Sequence, residues 1–226
     1  MAEPMLAASE AAKSYGDLVA LTPVDLKIKR GELVALVGHN GSGKSTFLRL
    51  AAGTLELSSG TIEINGEPAG SSTARAATSF IPDDPVLYDD LSVREHLAYV
   101  AALHGVDASQ EELDAIAERV GLLPRADDLP ARFSRGLRQK TSIALGIARP
   151  FDLLLVDEPF VGLDATGKIA LLDLFAELHG DGRTIVVATH DVQFVERVTR
   201  CVALRDGEIV HDGKATPDDV LRLVGA

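Results

Sequence analysis

The apolar positions of this chain fall into two kinds of short run. From Val24 to Lys29 the residues read Val-Asp-Leu-Lys-Ile-Lys, apolar and polar in strict alternation, which predicts a strand with one face in water. Thr61–Ile64 alternates likewise and leads into Asn65-Gly66, a tight-turn pair. These two segments predict an antiparallel sheet near the N-terminus. Leu33–Val37, Leu153–Val156 and Thr184–Ala188 differ, being continuous apolar runs of strand length. Such runs suit strands covered on both faces, so they predict a parallel α/β core.

Helical signals cluster between these runs. Ser92 with Glu95 forms a capping-box pattern that predicts a helix over Val93–His104, and Ser109 with Glu112 repeats it for a helix ending near Gly121. Ser134 is placed to cap a third helix through Ala148, with Pro150 as its stop. The stretch 84–149 therefore reads as a mainly helical insertion within a single domain spanning 1–226. Near the C-terminus, Val202–Leu204 and Glu208–His211 flank Asp206-Gly207, a hairpin signal. Thr216-Pro217-Asp218-Asp219 then opens a last short helix, with Pro at the first helical position and acid in the first turn.

Composition narrows the classes of function. The excess of acid gives a formal net charge of −12, which argues against a nucleic-acid footprint, because phosphate neutralisation needs clustered Lys and Arg. The lone Cys201 rules out an intrachain disulfide framework and fits a reducing compartment. No apolar run approaches the ~18–20 residues that cross a bilayer, and the N-terminus lacks the basic and apolar regions of a secretory signal. Any work at a membrane is expected to go through a partner.

The most specific motif is Gly38-His39-Asn40-Gly41-Ser42-Gly43-Lys44-Ser45-Thr46, which fits G-x-x-x-x-G-K-[ST] at every fixed position. A buried-type strand precedes it and a helical pattern, Phe47–Ala52, follows, as a phosphate-binding loop requires. Glycines let the backbone wrap closely around phosphate, while successive N–H groups and the helix N-terminus aim positive charge at it. Lys44 is then placed to neutralise the terminal phosphates of a nucleoside triphosphate, and Ser45 to offer a hydroxyl to Mg²⁺. A second constellation is the apolar strand Leu153–Val156 ending in Asp157-Glu158-Pro159. Carboxylates at the C-terminal end of a core strand sit beside the phosphate loop in such folds. Asp157 is expected to hold Mg²⁺ through its hydration shell. Glu158, pointing the other way, is expected to act as general base on the attacking water.

With these motifs in order, the whole chain resembles the nucleotide-binding subunits of ABC (ATP-binding cassette) transporters. Phe160-Val161-Gly162-Leu163-Asp164 looks like the family's D-loop, Thr189-His190-Asp191 like its switch histidine, and Phe133–Gln139 sits where the signature motif falls. Tyr15 occupies the place of the aromatic that stacks on adenine. The resemblance implies a P-loop NTPase fold with ATP and Mg²⁺ as ligands, and a γ-phosphate contact from His190. It also implies a homodimer or heterodimer in which Ser134 and Gly136 bind the ATP held by the opposite subunit. It implies a separate transmembrane permease as partner and a place on the cytoplasmic face of the membrane. A soluble ABC ATPase of translation or DNA repair is disfavoured by the acidic charge and the single cassette, and a non-hydrolysing sensor by the intact Lys44, Asp157, Glu158 and His190.

Two departures from the family pattern stand out. Asp83 occupies the position of a glutamine implied to touch Mg²⁺ and water. A negative charge there is repelled by phosphate unless a cation intervenes, so Asp83 is expected to be retracted without nucleotide and to serve as a Mg²⁺ or water-bridged ligand with it. In the signature, Arg135 replaces the first glycine and is expected to face solvent. The acid at position 83 and the signature together look like the Ecs-type branch of ABC-2-like exporters.

Overall fold

A computed structural model describes residues 3–224. Two sheets and a set of helices form its layers. The first sheet is antiparallel, in the order β2-β1-β4-β5, from β1 (Leu6–Tyr15), β2 (Leu18–Ile28), β4 (Ser59–Ile64) and the short β5 (Glu67–Pro68). The second has six strands in the order β10-β9-β3-β8-β7-β6: β3 (Leu33–Val37), β6 (Thr78–Ile81), β7 (Leu153–Asp157), β8 (Thr184–Thr189), β9 (Arg200–Arg205) and β10 (Glu208–Gly213). All its neighbours pair in parallel except the β9–β10 hairpin.

The continuous apolar strands are explained by what covers each face. Leu33, Ala35 and Val37 of β3 lie in one apolar cluster, while Val34 and Leu36 lie in the other. The same division runs through β7, β8 and β9, where Leu154, Val187 and Ala203 join the first cluster and Leu155, Val186 and Val202 the second. Successive side chains point to opposite faces, so a strand buried on both sides needs an apolar residue at every position. The second cluster is completed by α1 (Lys44–Ala51), whose Phe47, Leu48 and Leu50 are buried, and by the inward residues of the antiparallel sheet.

The first cluster takes in α3 (Val93–Leu103), α4 (Gln110–Arg119), α5 (Arg135–Ile147) and α6 (Ala165–Gly180). The segment between β6 and β7 thus packs its helices into the same core as the sheet face beside it. Both capping boxes form: the Glu95 and Glu112 carboxylates accept from the backbone N–H groups of Ser92 and Ser109 at 2.7 and 2.8 Å. Arg94 ties α3 to α4 through Asp114, and to the turn beyond through Asp127. Two further helices, α2 (Ser72–Ala77) and α7 (Pro217–Val224), complete the described chain. No helix among the described residues is long and apolar enough to cross a membrane.

Several elements go beyond the sequence reading, among them the short β5. Strand β1, rich in alanine, forms the middle of the antiparallel sheet beside β2 and β4, with register shifts along both pairings. Helices α2 and α6 and strand β6 also belong to the fold.

Candidate functional site

The phosphate loop leaves the end of β3 and enters α1 at Lys44. Gly43 precedes the helix at φ 102°, a left-handed conformation that a side chain would strain. A Cβ there would also lie 2.9 Å from the Ala20 carbonyl oxygen. At Gly38 a Cβ would fall 2.3 Å from Ser42 Oγ and 2.4 Å from the Leu204 carbonyl oxygen, so only glycine fits. The loop is braced from outside as well. Gly207, in the β9–β10 turn, donates its N–H to the Ser42 carbonyl at 3.1 Å and accepts from the Thr22 N–H at 3.0 Å.

Lys44 is buried, 4% exposed, and three oxygens surround its Nζ. Nζ donates to the carbonyls of Gly38 at 2.9 Å and His39 at 3.2 Å, and lies 3.4 Å from Glu158 Oε1. Pairing of this kind is what lets a charge persist away from water. A pocket of ≈ 410 Å³ opens over the loop, lined by Asn40, Gly41, Ser42, Gly43, Lys44, Ser45 and Thr46 with Asp83, Glu158 and the β2 segment Leu18–Ala20.

Asp157 ends β7 on the side facing α1, as the alternation of that strand dictates. It is 1% exposed, and neither carboxylate oxygen has a hydrogen-bond partner among the described residues. Burial pushes its pKa above the usual carboxylate range, and the charges of Glu158 and Asp83 push the same way. The Ser45 hydroxyl works against the shift without closing a hydrogen bond of normal geometry. Two orphaned, buried acceptors beside a phosphate loop are the donor set a hydrated divalent cation would satisfy, so the residues fit Mg²⁺.

Glu158, the residue after β7, has a φ of 47°, in the left-handed region. Such a conformation in a non-glycine residue costs about 1–3 kcal/mol and has to be held by its surroundings. Here the Glu158 N–H donates to the Ala188 carbonyl at 2.8 Å. The carboxylate spans the site, with Oε1 toward Lys44 and Oε2 2.8 Å from His190 Nδ1. The residues that follow are anchored by Phe160, whose ring packs on Phe175 and Phe194.

The remaining sequence candidates are placed as follows. His39 turns outward, with Nε2 3.4 Å from Asp206. Tyr15 ends β1, is half exposed, and carries the Lys13 ammonium 5.0 Å from its ring centre; it is not among the residues lining the pocket. Leu18 and Val19, which the sequence reading passed over, are exposed apolar residues at the pocket edge. Their only sequence signal is apolar character just after the Gly16-Asp17 turn. Ser134 caps α5 by accepting from the Leu137 N–H at 3.3 Å. Gly136 packs on Gly162, where a Cβ would meet the Gly162 carbonyl oxygen at 2.3 Å. Neither Ser134 nor Gly136 lines the chain's own phosphate pocket. Asp83 is drawn toward α5, where Arg135 Nη2 meets its Oδ1 at 2.9 Å. Arg135 faces solvent, as expected, and its exposed guanidinium also forms this ion pair, which sequence alone could not show.

This architecture, with a phosphate loop between a parallel strand and a buried helix and an acidic strand end beside it, is that of a P-loop NTPase. Comparison with known proteins agrees: residues 21–161 match the family described as ABC transporter, and the chain belongs to that family. It is 34% identical over 230 residues to the macrolide export ATP-binding/permease protein MacB 1 of Aeromonas hydrophila, covering 96% of this chain and 36% of that protein. The chain thus spans about a third of such MacB relatives. Among solved structures, an ATP-binding subunit of an ABC transporter superposes with a TM-score of 0.87 at 33% identity, covering 98% of this chain and 95% of that one. A dimeric bacterial ABC transporter cassette superposes with a TM-score of 0.84 at 25% identity, covering 93% and 98%.

Proposed function

We propose that this chain is the ATP-binding and ATP-hydrolysing subunit of an ABC transporter, working in pairs to power a membrane permease. The observation that carries the reading is one cluster: buried Lys44 under the phosphate loop, the unpartnered carboxylate of Asp157, and Glu158 stretched between Lys44 and His190.

In this reading residues 1–226 are one nucleotide-binding domain with a helical insertion at 84–149. The loop Gly38–Thr46 cradles the phosphates with its backbone N–H groups, and Lys44 turns from its carbonyl partners toward the β- and γ-phosphates. Ser45 and Asp157 would hold Mg²⁺, with Asp83 as a further oxygen near it, and the bound cation would supply charge neutralisation for the phosphates. Glu158 takes a proton from the attacking water, and His190, already hydrogen-bonded to Glu158, contacts the γ-phosphate. Leu18, Val19 and Tyr15 border the place for the base. Most of the acceleration comes from positioning and charge stabilisation.

Pairing explains the residues left over. Ser134 and Gly136 stand at the start of a helix, a site for anions, yet do not line their own pocket. A second cassette, identical or related, brings its nucleotide to them, and the dimeric cassette among the similar structures supports this arrangement. The exposed side chains of Val86, Tyr88, Tyr99 and Leu103 lie on the loop after Asp83 and on α3, and receive the permease's cytoplasmic segments. Membrane contact then passes only through the permease, on the cytoplasmic face. The likeness to a macrolide export protein favours export.

The test is phosphate release from ATP by the purified chain across a range of protein concentrations, alone and with its co-purified permease. A rate per chain that climbs with concentration is expected. A full rate from a chain verified as monomeric would overturn the paired site.

A further inference from the structure

Asp83 and Arg135, both departures from the family's motifs, meet each other. Asp83 follows β6 and lines the phosphate pocket with Glu158, whereas Arg135 opens α5 directly after its cap, Ser134. The guanidinium of Arg135 donates to Asp83 Oδ1 at 2.9 Å across the gap between the two segments. The stem of the same arginine lies against the loop after β7: a Cβ on Gly162 would sit 3.4 Å from both Arg135 Cβ and Cγ. One side chain therefore touches three segments: the loop that borders the nucleotide pocket, the N-terminus of α5, and the loop that follows Glu158.

Charge gives this contact a consequence. Asp83 and Glu158 line the same pocket, the charge of Asp83 is felt at Asp157, and the buried Lys44 is already paired with Glu158. Arg135 is the cation that balances Asp83. A bound nucleotide brings more negative charge into the pocket, and the divalent cation accompanying it brings positive charge near Asp83.

We propose that Arg135 is a positioning residue for Asp83: it holds the carboxylate toward α5, and Mg²⁺-nucleotide competes with it for that carboxylate. Filling the pocket then uncouples the start of α5 from the loop after β6, and leaves the Arg135 guanidinium free beside Ser134. This rests on the reading of the phosphate loop as a Mg²⁺-nucleotide site. When a side chain must be released before it can engage a ligand, the apparent affinity falls by the fraction of molecules in the released state.

The experiment is equilibrium titration of the full chain with a fluorescent ATP analogue, with Mg²⁺ and separately in EDTA. The proteins compared are the parent, Arg135→Gln, Arg135→Lys, Asp83→Asn and the double variant Asp83→Asn/Arg135→Gln. Arg135→Gln is expected to tighten Mg²⁺-dependent binding about twofold to fivefold, the scale of a solvent-exposed ion pair. Binding in EDTA is expected to stay as in the parent, and Arg135→Lys to stay near the parent in both conditions. In the Asp83→Asn background, Arg135→Gln is expected to add nothing, because the pair is already broken. An unchanged affinity in Arg135→Gln, an equal gain in EDTA, or the same gain without Asp83 would each overturn the proposal. Absence of nucleotide binding by the parent would overturn the nucleotide site itself, and the proposal with it.

Discussion

Glu158 and His190 are joined twice. The Glu158 Oε2 atom accepts from the His190 backbone N–H at 3.2 Å and lies 2.8 Å from the imidazole Nδ1. The main-chain bond fixes the end of β8 against the end of β7, and the side-chain contact orients the carboxylate toward the pocket. A base held by both a lysine and a histidine is aimed before any substrate arrives, which is where positioned general bases gain their advantage.

Replacing Glu158 with glutamine keeps the size and the polar contacts but removes the proton acceptor. Nucleotide binding is expected to persist while hydrolysis falls about 10²- to 10⁴-fold. Phosphate-release kinetics and binding titrations on the same preparation check both halves, and normal turnover would remove Glu158 from this role.

Asp157 carries a stability prediction of definite sign. Burial raises its pKa in the folded chain, so the folded state binds its proton more tightly than the unfolded state does. Stability from this group is therefore present below the unfolded value near ~3.9 and lost as pH climbs through the raised folded value. Asp157→Asn is expected to raise the nucleotide-free Tm at neutral pH and to match the parent in acid. The same variant is expected to lose Mg²⁺-dependent hydrolysis. Melting curves at several pH values check the first claim, and a neutral-pH Tm below that of the parent would contradict it.

Gly136→Ala improves helix propensity on paper but drives a Cβ to 2.3 Å from the Gly162 carbonyl oxygen. The start of α5 and the loop after Glu158 must then separate. A loss of about 1–3 kcal/mol in denaturant unfolding is expected, together with slower hydrolysis. Unchanged unfolding would show that the two loops part without cost.

Cys201 lies in β9, 1% exposed, and burial pushes its thiol up to about 12. Because the thiolate is the reactive form, a disulfide reagent at pH 8 is expected to label it only as fast as the native chain opens. The label then serves as a probe of unfolding, with rates rising with added denaturant. Prompt labelling in buffer alone would contradict the burial.

What was legible in the sequence follows from how local the information was. Strands β3, β7 and β8 could be read because burial on both faces leaves an uninterrupted apolar run. Helices α3, α4, α5 and α7 could be read because Ser92, Ser109, Ser134 and Thr216 announce their starts. Strand β1 could not, because its alanines favour a helix in isolation and its pairing with β2 and β4 overrides that preference. In the site, the phosphate loop and the acids after β7 are contiguous motifs and were plain. The Asp83–Arg135 pair was not, since each residue was conspicuous by itself but 52 positions of chain separate them.

The bond from Gly207 to the Ser42 carbonyl also bears on how the molecule is made. Residues 38–46 encode the phosphate loop, yet one of its braces comes from a turn synthesised long afterwards. A nascent chain that has exposed the whole loop still lacks this clasp until residue 207 clears the ribosome tunnel. The braced form of the loop is thus a product of tertiary folding, set by a turn far downstream in the chain and not by residues 38–46 alone.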